Sequence, residues 1–277
     1  MSSNQSECTY KYPEYHVYIG WDESDMKDGR TTGPQTVAYN MCKRSMEANT
    51  NANVVIHRLN RPKFRKDGIF WRTDDTSGAT GFTYTRYLVP YLNNYQGFAV
   101  FCDSDFVWDA DVAKMVDKYA DSNYAVSCVQ HTYDHLKESS KMNGIKNEWY
   151  PKKNWSSMMI FNCEHPATKH LTLDIVNTQT PKYLHRFEWL DGDHQIKNVS
   201  HRYNYLVEYY HDHKALLAES SEIVFHHTNG TISHPGYEFC EHHERCKKYV
   251  TDEEIKMLVK DYGLNYETGS ERLYYKN

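Results

Sequence analysis

Apolar residues fall in short runs separated by polar stretches, and their spacing predicts strands alternating with helices. The run HVYIG at 16–20 predicts a first strand that ends at Trp21 and Asp22. Between 34 and 49, Val37, Met41, Ser45 and Met46 recur at helical spacing, and NVVIHRL at 53–59 predicts a second strand. These three pieces form a β-α-β unit, a common opening of doubly wound sheets. Residues 60–82 are rich in charge, Gly and Thr and predict a loop. Helical character resumes over 83–89, with Pro90 close to its end. Strands are then expected at 98–108, 124–129, 158–162 and 223–227, and helices at 111–119, near 166–178 and at 251–263. Thr251 or Asp252 is the expected cap of the last helix. The segment 131–155 reads as long and irregular, and long loops are often functional. No repeat, low-complexity tract or clear linker divides the chain.

The strand predicted near residue 100 carries the first chemistry. FAVFC at 98–102 runs directly into Asp103, Ser104 and Asp105, and apolar residues follow at 106–108. If the strand continued through them, Asp103 and Asp105 would point the same way. Ligands of open α/β sheets bind outside the carboxyl ends of strands, and two hard oxygen donors there suit Mg²⁺ or Mn²⁺. A bare D-x-D is a weak signal among 37 acidic residues, so the apolar context carries the argument. Asp109 and Asp111 repeat the spacing ahead of a predicted helix and read as capping or first-turn acids.

Composition narrows the partners. At 277 residues, 39% hydrophobic and 25% charged, the chain has the make-up of a soluble globular protein. A net charge of −5 argues against a broad nucleic-acid footprint. No apolar stretch reaches membrane-spanning length and the N-terminus is polar, so a cytoplasmic protein is expected. Seven cysteines without framework spacing agree with a reducing compartment. The N-x-S/T triplets at Asn154, Asn198 and Asn229 are not evidence of glycosylation without a secretory signal.

Other constellations join the D-x-D. Asp191 and Asp193 flank Gly192 after an aromatic stretch, as a base, as groups orienting sugar hydroxyls, or as a tight turn. His226 and His227 end a predicted strand, where alternation points them opposite ways, so at most one completes an Asp-Asp site. Arg86, Lys152 and Lys153 are candidate counter-charges for phosphate. The Cys240–Cys246 stretch lacks standard zinc spacing and reads as a solvated charged helix.

Taken in order, these parts resemble GT-A glycosyltransferases, in particular a family-8-like group of bacterial and viral proteins. The resemblance runs from about Val17 to about Thr231. It is carried by YIGWD at 18–22, FTYTRYLVP at 82–90, FCDSD at 101–105, YPKKNWSSMMIFNC at 150–163, HRFEWLD at 185–191 and His226. It implies a GT-A fold, a Rossmann-like mixed central sheet flanked by helices, in one domain at 15–235. A polar lead at 1–14 would precede it, and a helical extension at 236–277 would pack on it. Gly20, Trp21 and Asp22 would face the nucleotide, and Arg86 and Lys153 would help hold the donor, beside Ser104. Asp103, Asp105 and His226 would hold Mn²⁺ or Mg²⁺, and Asn154, Trp155 and Ser156 would lie near the sugar. Asp191 and Asp193 would act at the sugar or acceptor, as a base in an inverting enzyme or as positioning groups in a retaining one. The donor would be a nucleotide-sugar, most simply a UDP-sugar, and the acceptor a glycan or other hydroxyl. The family's late motif usually reads His-x-x-Gly with a following Lys. Here His226 and Gly230 are four apart and no Lys follows closely. Two alternatives stand beside this reading. One is a haloacid-dehalogenase-like phosphatase, against which the preceding β-α-β unit argues, and the other is a non-catalytic nucleotide-sugar-binding protein.

Overall fold

Three apolar strands, at 15–19, 98–102 and 158–162, lie side by side within the main sheet. The computed structural model describes residues 9–73, 80–132, 151–228, 243–266 and 273–275. The chain runs through β1 (Tyr15–Ile19), α1 (Pro34–Ala48), β2 (Val54–Arg58), α2 (Arg61–Lys66), α3 (Val89–Leu92), β3 (Phe98–Cys102) and β4 (Phe106–Asp109). It continues with α4 (Val112–Tyr119), β5 (Val126–Cys128), β6 (Met158–Asn162), α5 (Leu173–Thr178), α6 (Pro181–His185), β7 (Ile196–Asn198) and β8 (Tyr205–Leu206). Then come α7 (His213–Glu219), β9 (Ile223–His226), α8 (His243–Lys247), α9 (Asp252–Tyr262) and a two-stranded pair, β10 (Leu264–Tyr266) with β11 (Leu273–Tyr275).

The main sheet has the order β2-β1-β3-β6-β5-β7. β1 runs parallel to β2 and β3, β6 is antiparallel to β3 and β5, and β7 returns parallel to β5. The sheet is mixed, with helices covering it. Alternation along its strands splits the core in two. Tyr18, Ala99, Phe101, Met159 and Phe161 enter one cluster. Tyr15, Val17, Ile19, Val100, Cys102, Met158 and Ile160 enter the other. Burial on both faces is why these strands read as continuous apolar runs. A second, three-stranded sheet, β4-β9-β8, packs Val107, Tyr205, Ile223 and Phe225 against Val37 and Met41 of α1 and against the C-terminal helices.

Several expectations need correction. The 60–82 segment is not all loop, because it contains α2, whose N-cap Asn60 accepts the Lys63 N–H and whose Pro62 sits in the first turn. Only Phe64 of α2 is buried, so there is no apolar stripe to reveal it. Pro90 stands in the first turn of α3 rather than near a helix end. The helix expected from 166 begins at α5, capped by the Thr172 hydroxyl, after a single 3-10 turn at Thr168–His170. Asp111 does cap α4, but Asp109 ends β4 and pairs with Arg245. Thr251 caps α9 in a capping box with Glu254, which also accepts from Asn40 and Arg44 of α1. Cys240, Glu241 and His242 lie outside the described residues, the rest of that stretch belongs to α8, and Cys246 is buried rather than solvated. Among the described residues every cysteine is buried, and no helix is long and apolar enough to cross a membrane.

Candidate functional site

The D-x-D lies where the two sheets meet. β3 ends at Cys102 and β4 starts at Phe106, so Asp103, Ser104 and Asp105 form the turn between them. The two carboxylates therefore converge through a turn, not through strand alternation as expected. The turn is pinned from both sides. Asp103 N–H donates to Ser157 O at 2.9 Å, at the start of β6, and His227 N–H donates to Asp105 O at 3.1 Å, at the end of β9. The antiparallel pairing of β4 with β9 sets Phe106 opposite His226, and their rings stack at 4.3 Å.

This register brings one ligand atom each of Asp103, Asp105 and His226 within 4.8 Å of one another. His226 Nε2 is 3.4 Å from Asp105 Oδ1. His227 turns the other way, its Nε2 lying 3.9 Å from Cys246 Sγ. Burial, and then the Asp103 charge, push the Asp105 carboxyl well above the usual carboxylate range. Burial, reinforced by His131, His227 and Arg86, pushes His226 well below the usual histidine range. Among the described residues Asp105 Oδ1 is buried without a hydrogen-bond partner. Two crowded carboxylates and a neutral imidazole form a donor set that a divalent cation would satisfy, and an O,O,N set with imidazole suits Mn²⁺ better than Mg²⁺.

Arg86 braces this centre. Its Nη1 is 3.0 Å from Asp103 Oδ1 and donates to Ser156 O at 2.8 Å. Its guanidinium packs against the rings of Phe101 and Phe82. Gly20 follows β1 and donates its N–H to Cys102 O at 2.9 Å. A Cβ on Gly20 would stand 2.7 Å from the Phe82 ring, so the close approach requires glycine.

The remaining expected residues fall around this centre in different ways. Trp21 is buried, and its indole N–H donates to Thr36. The Asp22 carboxylate accepts the N–H groups of Ser24 and Gly81. Ser104 and Lys153 are buried. Lys152 and Asn154 both have positive φ, 64° and 63°, as does Phe187 at 58°. Non-glycine residues in that region are uncommon and concentrate at functional sites. Lys152 ties this loop to the 186–193 segment, pairing with Asp193 and donating to Arg186 O. Trp155 donates to His131 O, and Ser156 Oγ lies 2.8 Å from His185 Nδ1. Asp191 is exposed and exchanges hydrogen bonds with Gln195. The fold thus gathers Arg86, Asp103, Asp105, Ser156 and His226, and separately joins Lys152 to Asp193. Ser157, Asn204 and Glu208 carry no local signal in the sequence. Asn204 and Ser157 lie behind His226, and Glu208 accepts both the N–H and the hydroxyl of Thr228.

Protein CDI of Arabidopsis thaliana is 38% identical to this chain over 192 residues, 69% of each protein. Among solved structures, the glycosyltransferase GlyE of Streptococcus pneumoniae TIGR4 is similar with a TM-score of 0.51 at 12% identity, over 94% of this chain and 66% of that one. The WbbM bifunctional glycosyltransferase, in its apo structure, is similar with a TM-score of 0.48 at 16% identity over 90% of this chain. The chain spans about half of WbbM, 52% of its length. No model of a known protein family matches the sequence. The mixed central sheet flanked by helices is the GT-A fold of glycosyltransferases.

Proposed function

Because this chain belongs to the family of Arabidopsis thaliana Protein CDI and has a GT-A fold, we propose that it is a metal-dependent glycosyltransferase. It moves a sugar from a nucleotide-sugar, most simply a UDP-sugar, to a hydroxyl of a glycan or other acceptor. The observation that carries this reading is the cluster of two half-buried carboxylates, Asp103 and Asp105, with the buried His226 beyond the carboxyl end of β3. The order of motifs, with His226 as the late one, favours a family-8-like member.

Asp103, Asp105 and His226 would hold Mn²⁺ or Mg²⁺. When bound, the cation supplies Lewis-acid stabilisation of the leaving nucleoside diphosphate. Arg86 holds Asp103 in place, and it adds positive charge on the donor side. Gly20, Trp21 and Asp22 shape the nucleotide end of the site at the carboxyl end of β1. The Gly20 N–H is fixed on Cys102 O, and the Asp22 carboxylate holds the neighbouring loop. Lys153, buried in the same loop as Asn154, would help hold the donor. Asn154, Trp155 and Ser156 orient the sugar from a loop locked by its own backbone conformation. Asp193, held by Lys152, and Asp191 stand on the acceptor side, as a base or as positioning carboxylates.

The test is turnover of a panel of UDP-sugars with and without Mn²⁺, alongside thermal shifts for the same ligands, since a ligand of the native state raises apparent stability. Asp105→Ala is expected to lower metal-dependent turnover by at least about a hundredfold while leaving the unfolding transition cooperative. Metal-dependent cleavage of a generic phosphate ester with no response to UDP would overturn the assignment in favour of a phosphatase.

A further inference from the structure

Behind His226 lies a chain of hydrogen bonds whose direction can be read from one end. Ser157 Oγ is 2.6 Å from Asn154 O. A carbonyl cannot donate, so the Ser157 hydroxyl spends its proton there. Asn204 Nδ2 lies 2.9 Å from Ser157 Oγ and Asn204 Oδ1 lies 2.8 Å from His226 Nδ1. If the amide were turned round, two oxygens would face each other at 2.9 Å with no proton between them. The amide is therefore fixed with its oxygen toward His226. Nδ1 must then carry the imidazole proton, and Nε2 keeps its lone pair, 3.4 Å from Asp105 Oδ1. Asn204 is fully buried and Ser157 nearly so, so water does not compete for these partners. Ser157 also anchors the other ligand, through its own carbonyl and the Asp103 N–H.

We propose that Asn204 is a positioning residue that selects the tautomer of His226, with Ser157 setting the direction of the Asn204 amide. The role rests on the metal reading of Asp103, Asp105 and His226 for its purpose, but not for its detection. Groups that hydrogen-bond the far nitrogen of metal-binding histidines act in this way, fixing ring orientation and the protonated nitrogen.

The experiment records ¹⁵N chemical shifts of His226 in metal-free protein labelled at histidine, together with Mn²⁺ titrations by calorimetry. Wild type should show a protonated Nδ1 and an unprotonated Nε2. Asn204→Leu removes the acceptor and should move His226 to a mixture of tautomers, with Mn²⁺ affinity falling roughly ten- to a hundredfold. Ser157→Ala frees the amide to turn and should also mix the tautomers. It decides the question alone if Asn204→Leu does not fold. An unchanged His226 tautomer in every folded member of the pair Asn204→Leu and Ser157→Ala overturns the proposal. If wild type binds no Mn²⁺, the metal reading falls, while the ¹⁵N shifts still decide the role of Asn204.

Discussion

His57 illustrates how neighbours set the behaviour of a single side chain. Its ring stacks on Tyr18 at 4.5 Å, and its Nε2 lies 3.0 Å from His16 Nδ1. Burial, and then the His16 charge, lower its pKa from the ordinary 6.5, against a smaller opposing effect of Glu14. The unfolded chain therefore takes up a proton at this position more readily than the folded one, and stability rises with pH in that window. The contribution is complete above about pH 6.5 and is lost as pH falls through the lowered value. Urea midpoints compared at about pH 7.5 and about pH 5.5 should fall on acidification in wild type and fall less in His57→Phe. Equal losses in both proteins would remove His57 from the account. Chemistry at this scale was only partly visible in the sequence. The D-x-D stood out because an apolar strand precedes it. Asn204 did not, because an asparagine between two tyrosines says nothing until His226 is known to lie behind it.

At the scale of elements, α1 shows how a helix can be started by a residue outside it. Its N-cap, Gly33, has no side chain to offer, and Pro34 has no N–H. The next two N–H groups, of Gln35 and Thr36, donate to the Asp25 carboxylate at 3.2 and 2.7 Å, and the Val37 N–H reaches Gly33 O. A Cβ on Gly33 would stand 2.6 Å from Asp25 Oδ1, so glycine leaves room for the carboxylate. Asp25→Ala should cost about 1 kcal/mol by urea unfolding, and Asp25→Asn, which keeps one acceptor, should cost less. No difference between the two variants would mean that the carboxylate does not cap the helix. Elements were legible where the signal was local. β6 runs over the five residues expected, four of them apolar, and Thr251 heads α9 with its Glu254 partner. α2 was hidden because a single buried side chain makes no period.

At the scale of the whole molecule, the cluster joins two sheets that the sequence could not place together. Asp103 belongs to the end of β3, while His226 is delivered by a β4–β9 pairing between strands more than a hundred residues apart. A cation shared by Asp103, Asp105 and His226 should therefore tie the sheets to each other. Adding Mn²⁺ should slow amide exchange in β3 and β6 and in β4 and β9 alike, and EDTA should reverse both effects. Protection confined to one sheet would show that the three residues do not share an ion. The three-residue turn between β3 and β4 has a further consequence, which concerns length rather than identity. Substitutions within 103–105 change what the turn can bind, but one residue gained or lost there would shift Phe106 relative to His226 and reverse the alternation of β4. Counted this way, the spacing of the turn is a more stringent requirement than any of its side chains, because the donor set and the seam between the sheets are cut to the same measure.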